Sequence, residues 1–116
     1  MFSILVLFLV LEEFTMNSRL ELHEKLCEIL GSRNVYFQPP ESLKLNYDAI
    51  VYFRDEIRNR HAGNEVYHQD DRYEVTLISK KPDNPVTRKL SLLPKCRFDR
   101  TYISDNLYHD TFTLYL

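Results

Sequence analysis

Apolar residues recur at helical spacing near the start of the chain and alternate with polar residues in several stretches after it. Ser18 and Glu21 form a capping box, and an apolar stripe then continues until Gly31, which predicts an amphipathic helix of about three turns. The stripe comprises Leu22, Leu26, Ile29 and Leu30.

Five runs rich in β-branched and aromatic residues predict strands. The first run stops at Pro39 and Pro40, because proline cannot donate to a strand ladder. The second is apolar on both faces at its start, which is typical of a central strand. The runs are 35–37, 49–57, 72–79, 96–103 and 110–116.

The charged segment between the second and third strands predicts the tip of a long hairpin. Its turn chemistry lies at Gly63-Asn64. Residues 56–70 contain few strong apolar side chains, so we expect this tip to be mobile in a free monomer and ordered in an assembly. Further along, Asn84 as a cap and Pro85 at the first helical position predict a second helix of barely two turns.

This order of elements predicts an α+β fold. We expect an antiparallel β-sheet of about five strands, with the N-terminal helix and the short second helix packed on it. The predicted core combines the helix stripe with one sheet face. Its sheet members are Val35, Phe37, Ile50, Val51, Val75, Leu77, Phe98, Phe112 and Leu114.

The first ten residues are strongly apolar, but they fit neither a signal peptide nor a membrane span. No basic residue precedes the run, and Glu12-Glu13 ends it well before the about 20 residues that a spanning helix needs. GAGGAG, a purine-rich ribosome-binding sequence, can encode Glu-Glu, and two codons then separate it from Met16. We therefore expect residues 1–15 to be a mis-called leader and residues 16–116 to form a single domain.

Charge and cysteine usage narrow the function classes. The chain has 17 acidic and 15 basic residues, and the leader holds two of the acids and no base, so the remaining domain is balanced. A neutral domain gives no electrostatic reason to expect sequence-specific nucleic-acid binding or an anionic membrane as partner. Cys27 and Cys96 lie far apart, which favours buried thiols over a disulfide or metal site.

Candidate catalytic chemistry is sparse. His68, Asp70 and Asp71 have the residue types for divalent-metal binding or acid–base work, although a solvated hairpin tip is the simpler interpretation. His23 and Cys27 have helical spacing that could offer two ligands to a soft metal, although a flank of the buried stripe is the simpler explanation. We find no phosphate-binding or hydrolase motif, and we expect no cofactor, no metal and no enzymatic activity.

Three segments together resemble the small tail completion, or head–tail joining, proteins of long-tailed bacteriophages and prophages. They are "NVYFQPPESLKLNYDAIVYFRDEI", "RYEVTLISKKPDN" and "DNLYHDTFTLYL". Residues 18–116 cover the family's order of a leading helix, a strand ending near proline, a variable connector, an aromatic-proline-x-aliphatic strand, a "Y-x-V-x-L" strand, a short helix and a final strand pair. Asp48 stands where proline commonly follows the aromatic residue.

The resemblance implies a structural role in virion assembly. Such proteins form rings, here expected to be hexameric, that cap the tail tube and meet the head connector proteins, in the virion and in the host cytoplasm. Ring formation needs exposed apolar and aromatic surface. We expect Tyr47, Ile57 and Tyr67 to supply the subunit contacts.

Two other classes of protein remain open at the level of sequence. A small prophage-encoded binding module, such as an inhibitor or an antitoxin-like protein, would share the size and the lack of motifs, and would form a specific complex with a host protein. An enzyme using the cluster at His68 would bind a divalent metal.

Overall fold

The computed structural model describes residues 18–116, so the expected leader lies outside the described residues. The predicted α+β class and the predicted order of elements are confirmed. Two helices and five strands follow one another as α1 (Arg19–Leu30), β1 (Val35–Phe37), β2 (Ala49–Ala62), β3 (Glu65–Ser79), α2 (Val86–Ser91), β4 (Cys96–Ser104) and β5 (Leu107–Tyr115).

The five strands form one sheet in the order β1-β2-β3-β5-β4. The three other strand pairs are antiparallel, but β1 runs parallel to β2, with Val35 opposite Ile50. The expectation of a purely antiparallel sheet was therefore wrong in this strand. The connector 38–48 is long enough to carry the chain back along the sheet, and parallel strands need such a crossover.

The helix ends follow the sequence signals closely. Ser18 Oγ accepts the N–H of Glu21 at 3.2 Å. Gly31 ends α1 with φ of 80°, and its N–H donates to Cys27 O. The second helix begins one residue later than predicted, and Asn84 Oδ1 accepts the N–H of Val86 at 2.9 Å, so Asn84 still acts as the cap.

The core lies between one face of the sheet and both helices. Its buried members come from both helices, from every strand except β4 and from the segment after α2, and they are Leu22, Leu26, Cys27, Val35, Ile50, Tyr52, Tyr73, Val75, Leu77, Val86, Leu90, Leu93, Phe112 and Leu114. The prediction was wrong for Phe98, which lies on an edge strand and is 44% exposed. Tyr52 and Tyr73 are also fully buried, in addition to the side chains named for the predicted core.

Both antiparallel hairpins are longer than predicted. β2 and β3 run for 14 and 15 residues and turn at Gly63-Asn64, as expected. β4 and β5 meet through Asp105-Asn106, whose φ angles of 53° and 63° are those of a type I′ turn. The strands extend because each added pair satisfies two backbone groups, whether or not a core covers it.

Candidate functional site

The most distinctive surface is the part of the β2–β3 hairpin that extends beyond the sheet. β1 pairs with residues 50–52 of β2, and β5 pairs with β3 from Arg72 onwards. Residues 56–70, here called the hairpin arm, therefore form a two-stranded ribbon whose outer edges have no strand partner among the described residues. A ribbon of this kind presents backbone donors and acceptors on both sides.

Cross-strand polar pairs hold the hairpin arm together in place of a core. On one face Arg58 lies opposite Asp70, and His68 Nε2 lies 2.8 Å from Asp70 Oδ1. On the other face Gln69 Nε2 donates to Asn59 Oδ1 at 2.8 Å. Such pairs select a register but bury little apolar area. The arm is thus specified mainly by its own polar contacts, and the Arg58 guanidinium also lies 5.2 Å from the centre of the Tyr115 ring on β5.

Ion pairs fasten the root of the arm to the sheet. Arg72 contacts Asp55 at 2.9 Å and Glu56 at 3.0 Å, and the hydrogen bond to Asp55 raises the pKa of the Arg72 guanidinium. Arg54 contacts Asp71 at 3.4 Å. These contacts are half-exposed, so each contributes modestly to stability. Together they give the arm a defined direction as it leaves the sheet.

The structure brings together only part of the candidate catalytic cluster. His68 pairs with Asp70, whereas Asp71 contacts Arg54 across the strands. Within residues 18–116 no three His, Cys, Asp or Glu side chains gather closely enough to hold a metal ion. His23 Nδ1 lies 2.7 Å from Tyr52 Oη, while Cys27 is buried in the core.

Both cysteines are free thiols, as the sequence indicated. Burial raises the pKa of both thiols, that of Cys96 to about 11. At neutral pH each is therefore protonated and a poor nucleophile.

The three expected contact residues do not form one patch. Ile57 is 51% exposed on the arm. Tyr67 lies in the strand that returns from the arm tip, and its side chain is outside what the structure describes. Tyr47 is half-buried at the start of β2 and lines a cavity of about 460 Å³ with residues 80–85. A strand rises about 3.3 Å per residue, so Tyr47, which precedes β2, lies far from Ile57 in the second half of the strand.

A second exposed surface, the outer edge of β4, was not anticipated from the sequence. β4 is a terminal strand of the sheet, and eight of its nine residues are exposed. Its large exposed apolar side chains include Phe98, Tyr102 and Ile103. The alternation that predicted a covered strand is interrupted by a bulge between Phe98 and Arg100. An alternating pattern does not show whether a strand lies at an edge or in the centre.

A buried polar cluster joins α1 to the sheet and was also missed. Tyr52 is fully buried, and Arg19 Nη1 donates to its hydroxyl oxygen at 3.2 Å. The hydroxyl proton is then directed to Nδ1 of a neutral His23. The Arg19 guanidinium also lies 4.3 Å from the centre of the Phe37 ring. This cluster fixes the orientation of α1 and contains no reactive arrangement.

A cleft of about 550 Å³ lies between α2 and the β4–β5 hairpin. Its polar wall is formed by Asp110, which accepts hydrogen bonds from Thr101 at 2.6 Å and from Thr87. One carboxylate oxygen thus ties α2 to the hairpin through Thr87, and the other joins β4 to β5 through Thr101. We interpret the cleft as a structural junction, because Asp110, its most buried acid, already accepts a hydrogen bond at each carboxylate oxygen.

Comparison with known proteins adds no assignment to this geometry. No protein-family model, curated protein or solved structure matches the chain. None of the helices between residues 18 and 116 is long and apolar enough to span a bilayer.

Proposed function

We propose that this protein is a bacteriophage structural protein of the head–tail interface. It acts as a tail completion or joining protein and forms a ring, most simply of six copies, on the end of the tail tube. It has no enzymatic activity. The observation that carries the proposal is the hairpin arm, which extends well beyond the part of the sheet that the core covers.

A two-stranded ribbon without a covering layer is only marginally stable alone. The arm shows no buried side chain among those described, and it exposes Ile57 and Val66. Such a segment contributes little to the stability of its own subunit, so a partner is the natural explanation for it. The resemblance to tail completion proteins supplies the partner class: further copies of this chain, the tail tube protein and the head connector proteins.

Assembly on the end of the tube explains how modest contacts between subunits would be enough to close a ring. The repeating tube subunits hold neighbouring copies close together, which raises their effective concentration. In free solution the same contacts would give a monomer or a weak oligomer, since the sequence after Met16 contains no strongly hydrophobic run. Premature rings would otherwise compete with ordered addition to the tail.

The test is to delete the gene and count joined particles by electron microscopy. Separate full heads and unjoined or overlong tails are expected. Complementation with Ile57→Asp should fail, whereas Leu92→Asp, at an exposed leucine beyond α2, should restore joined particles. Normal particles in the deletion strain would end the proposal.

A small prophage-encoded binding module is the alternative. It predicts that purified virions lack the protein and that a host protein forms a stable complex with it in infected cells. Mass spectrometry of purified virions separates the two functions directly, because a ring component must be present in stoichiometric amounts.

A further inference from the structure

The two edges of the sheet differ sharply in how they are protected. At one edge β1 has only three residues and is followed by Pro39 and Pro40. At the other edge β4 has nine residues with no proline inside it, and no strand within residues 18–116 pairs with its outer side. Native proteins shorten, cover or charge such edges, or distort them with a bulge. In β4 the charges and the bulge lie at residues 97–100, whereas residues 101–104 are uncharged and pair regularly with β5.

The backbone of β4 near its turn is oriented for pairing. Ser104 and Leu107 close a two-residue type I′ hairpin, so their backbone groups bond to each other. Because hydrogen-bonded and non-hydrogen-bonded pairs alternate, the N–H and C=O of Ile103 and Thr101 point away from β5. The outer edge therefore offers donors and acceptors flanked by the exposed Ile103 side chain.

A second copy of this chain offers two long strand edges as partners, namely its own β4 edge and its hairpin arm. Residues 95–104 carry Lys95, Arg97 and Arg100 against Asp99, so two β4 edges would bring like charges together. The arm carries Glu56, Glu65 and Asp70 against two arginines and has the opposite net sign. Charge therefore favours the arm, since like charges across a strand pair are destabilising.

We propose that the outer edge of β4 in one subunit pairs with the hairpin arm of the next subunit. Each contact joins two different surfaces, the β4 edge of one copy and one outer edge of the arm of the next, so the assembly continues head to tail until it closes. Closure into a ring rests on the proposed function, whereas the pairwise contact can be measured on the purified chain alone.

The first test separates backbone pairing from side-chain packing at one position. Ile103→Pro removes an outward N–H without removing a bond to β5, and Ile103→Ala keeps that N–H while removing the exposed side chain. By sedimentation at up to millimolar concentration, the proline variant should self-associate about 10- to 100-fold more weakly than the parent. The alanine variant should lose less than about fivefold.

Three results of this test would overturn the proposal. The first is equal loss in both variants, which indicates side-chain docking. The second is undiminished association of the proline variant, and the third is a parent chain that stays monomeric at millimolar concentration. Circular dichroism and thermal unfolding of each variant show whether the domain has kept its fold, and Thr101→Pro provides a second outward position if Ile103→Pro does not fold.

The second test asks whether the arm is the occupant. In an arm-deleted variant, Asn-Gly replaces residues 59–69 between the paired residues Arg58 and Asp70. Alone, the arm-deleted variant should not associate, and Ile103→Pro should associate only weakly, as in the first test. Mixed, they should form a 1:1 complex and nothing larger, because the first keeps β4 and the second keeps the arm. Self-association of the arm-deleted variant, or no complex in the mixture, would overturn the proposal.

The role in tail joining and the contact between β4 and the arm can be rejected independently of each other. A 1:1 complex in the mixture together with normal particles in the deletion strain rejects the role in tail joining and keeps the contact. Unjoined particles in that strain without a complex in the mixture reject the contact and keep the role.

Discussion

The base and the arm of the β2–β3 hairpin are continuous strands with opposite surroundings. In the base, Ile50 and Tyr52 on β2 and Val75 and Leu77 on β3 are fully buried beneath the helices. In the arm, no described side chain is buried. The comparison teaches that strand pairing continues wherever backbone groups can pair, whereas stability comes from the layer that covers one face.

The largest expected difference between base and arm is in amide hydrogen exchange. Amides of residues 75–77 should exchange only through global unfolding, with a free energy of about 5 kcal/mol or more. Amides of residues 57–61 should exchange in the free monomer with a free energy near zero, because the arm can open without disturbing the core. The measurement is exchange followed by NMR at low protein concentration. Slow exchange in the arm of a verified monomer would contradict the distinction.

Truncating one isoleucine in each half of β2 gives a matched comparison. Ile50→Ala should destabilise the domain by about 2–5 kcal/mol, since Ile50 is fully buried. Ile57→Ala should change stability by less than about 0.5 kcal/mol, because Ile57 is half-exposed on the arm. Urea unfolding of both variants measures the difference. Similar losses would show that the arm packs against the core.

The contribution of α1 can be measured in the same way within a single helix. Leu26 is fully buried and Leu20 is 66% exposed. Leu26→Ala should cost about 2–5 kcal/mol and lower the thermal midpoint by roughly 10 °C or more. Leu20→Ala serves as the control and should shift the midpoint little. An unchanged midpoint in Leu26→Ala would make α1 peripheral to the fold.

Much of the fold could be predicted because local signals agree with the tertiary arrangement. The Ser18 cap, Gly31 and the Gly63-Asn64 turn all act where the sequence places them. The direction of β1 could not be predicted, because the pattern of a strand is the same in parallel and antiparallel pairs. Phe98 was assigned to the core because alternation marks faces and does not distinguish an edge strand from a central one.

The candidate site was predictable only in part. Charge and turn chemistry indicated the hairpin arm and Ile57, but the β4 edge depends on strand order, which no local pattern encodes. The polar cluster at the Tyr52 hydroxyl was missed because Arg19 and His23, which contact it, are distant from Tyr52 in the sequence. The β4 edge and the Tyr52 cluster both depend on residues that are distant in sequence and close in the fold.

The smallest predicted effect is a pH dependence confined to the base. Burial lowers the pKa of His23 below 6.5, and the nearby Arg19 charge lowers it further. The unfolded chain therefore takes up this proton at a higher pH than the folded chain. His23 destabilises the fold as pH falls below 6.5 towards its folded-state pKa, and it has no effect above neutrality.

Protonation of His23 removes the acceptor for the Tyr52 hydroxyl and places a second positive charge beside Arg19, so α1 should loosen from the sheet first. The measurement is urea unfolding between pH 7.5 and about 5, a window around the ordinary histidine pKa. In His23→Gln this part of the acid destabilisation should disappear, whereas His61→Gln, an exposed change on the arm, should retain it. A pH profile altered equally by the two substitutions would show that acid acts on the arm as much as on the base.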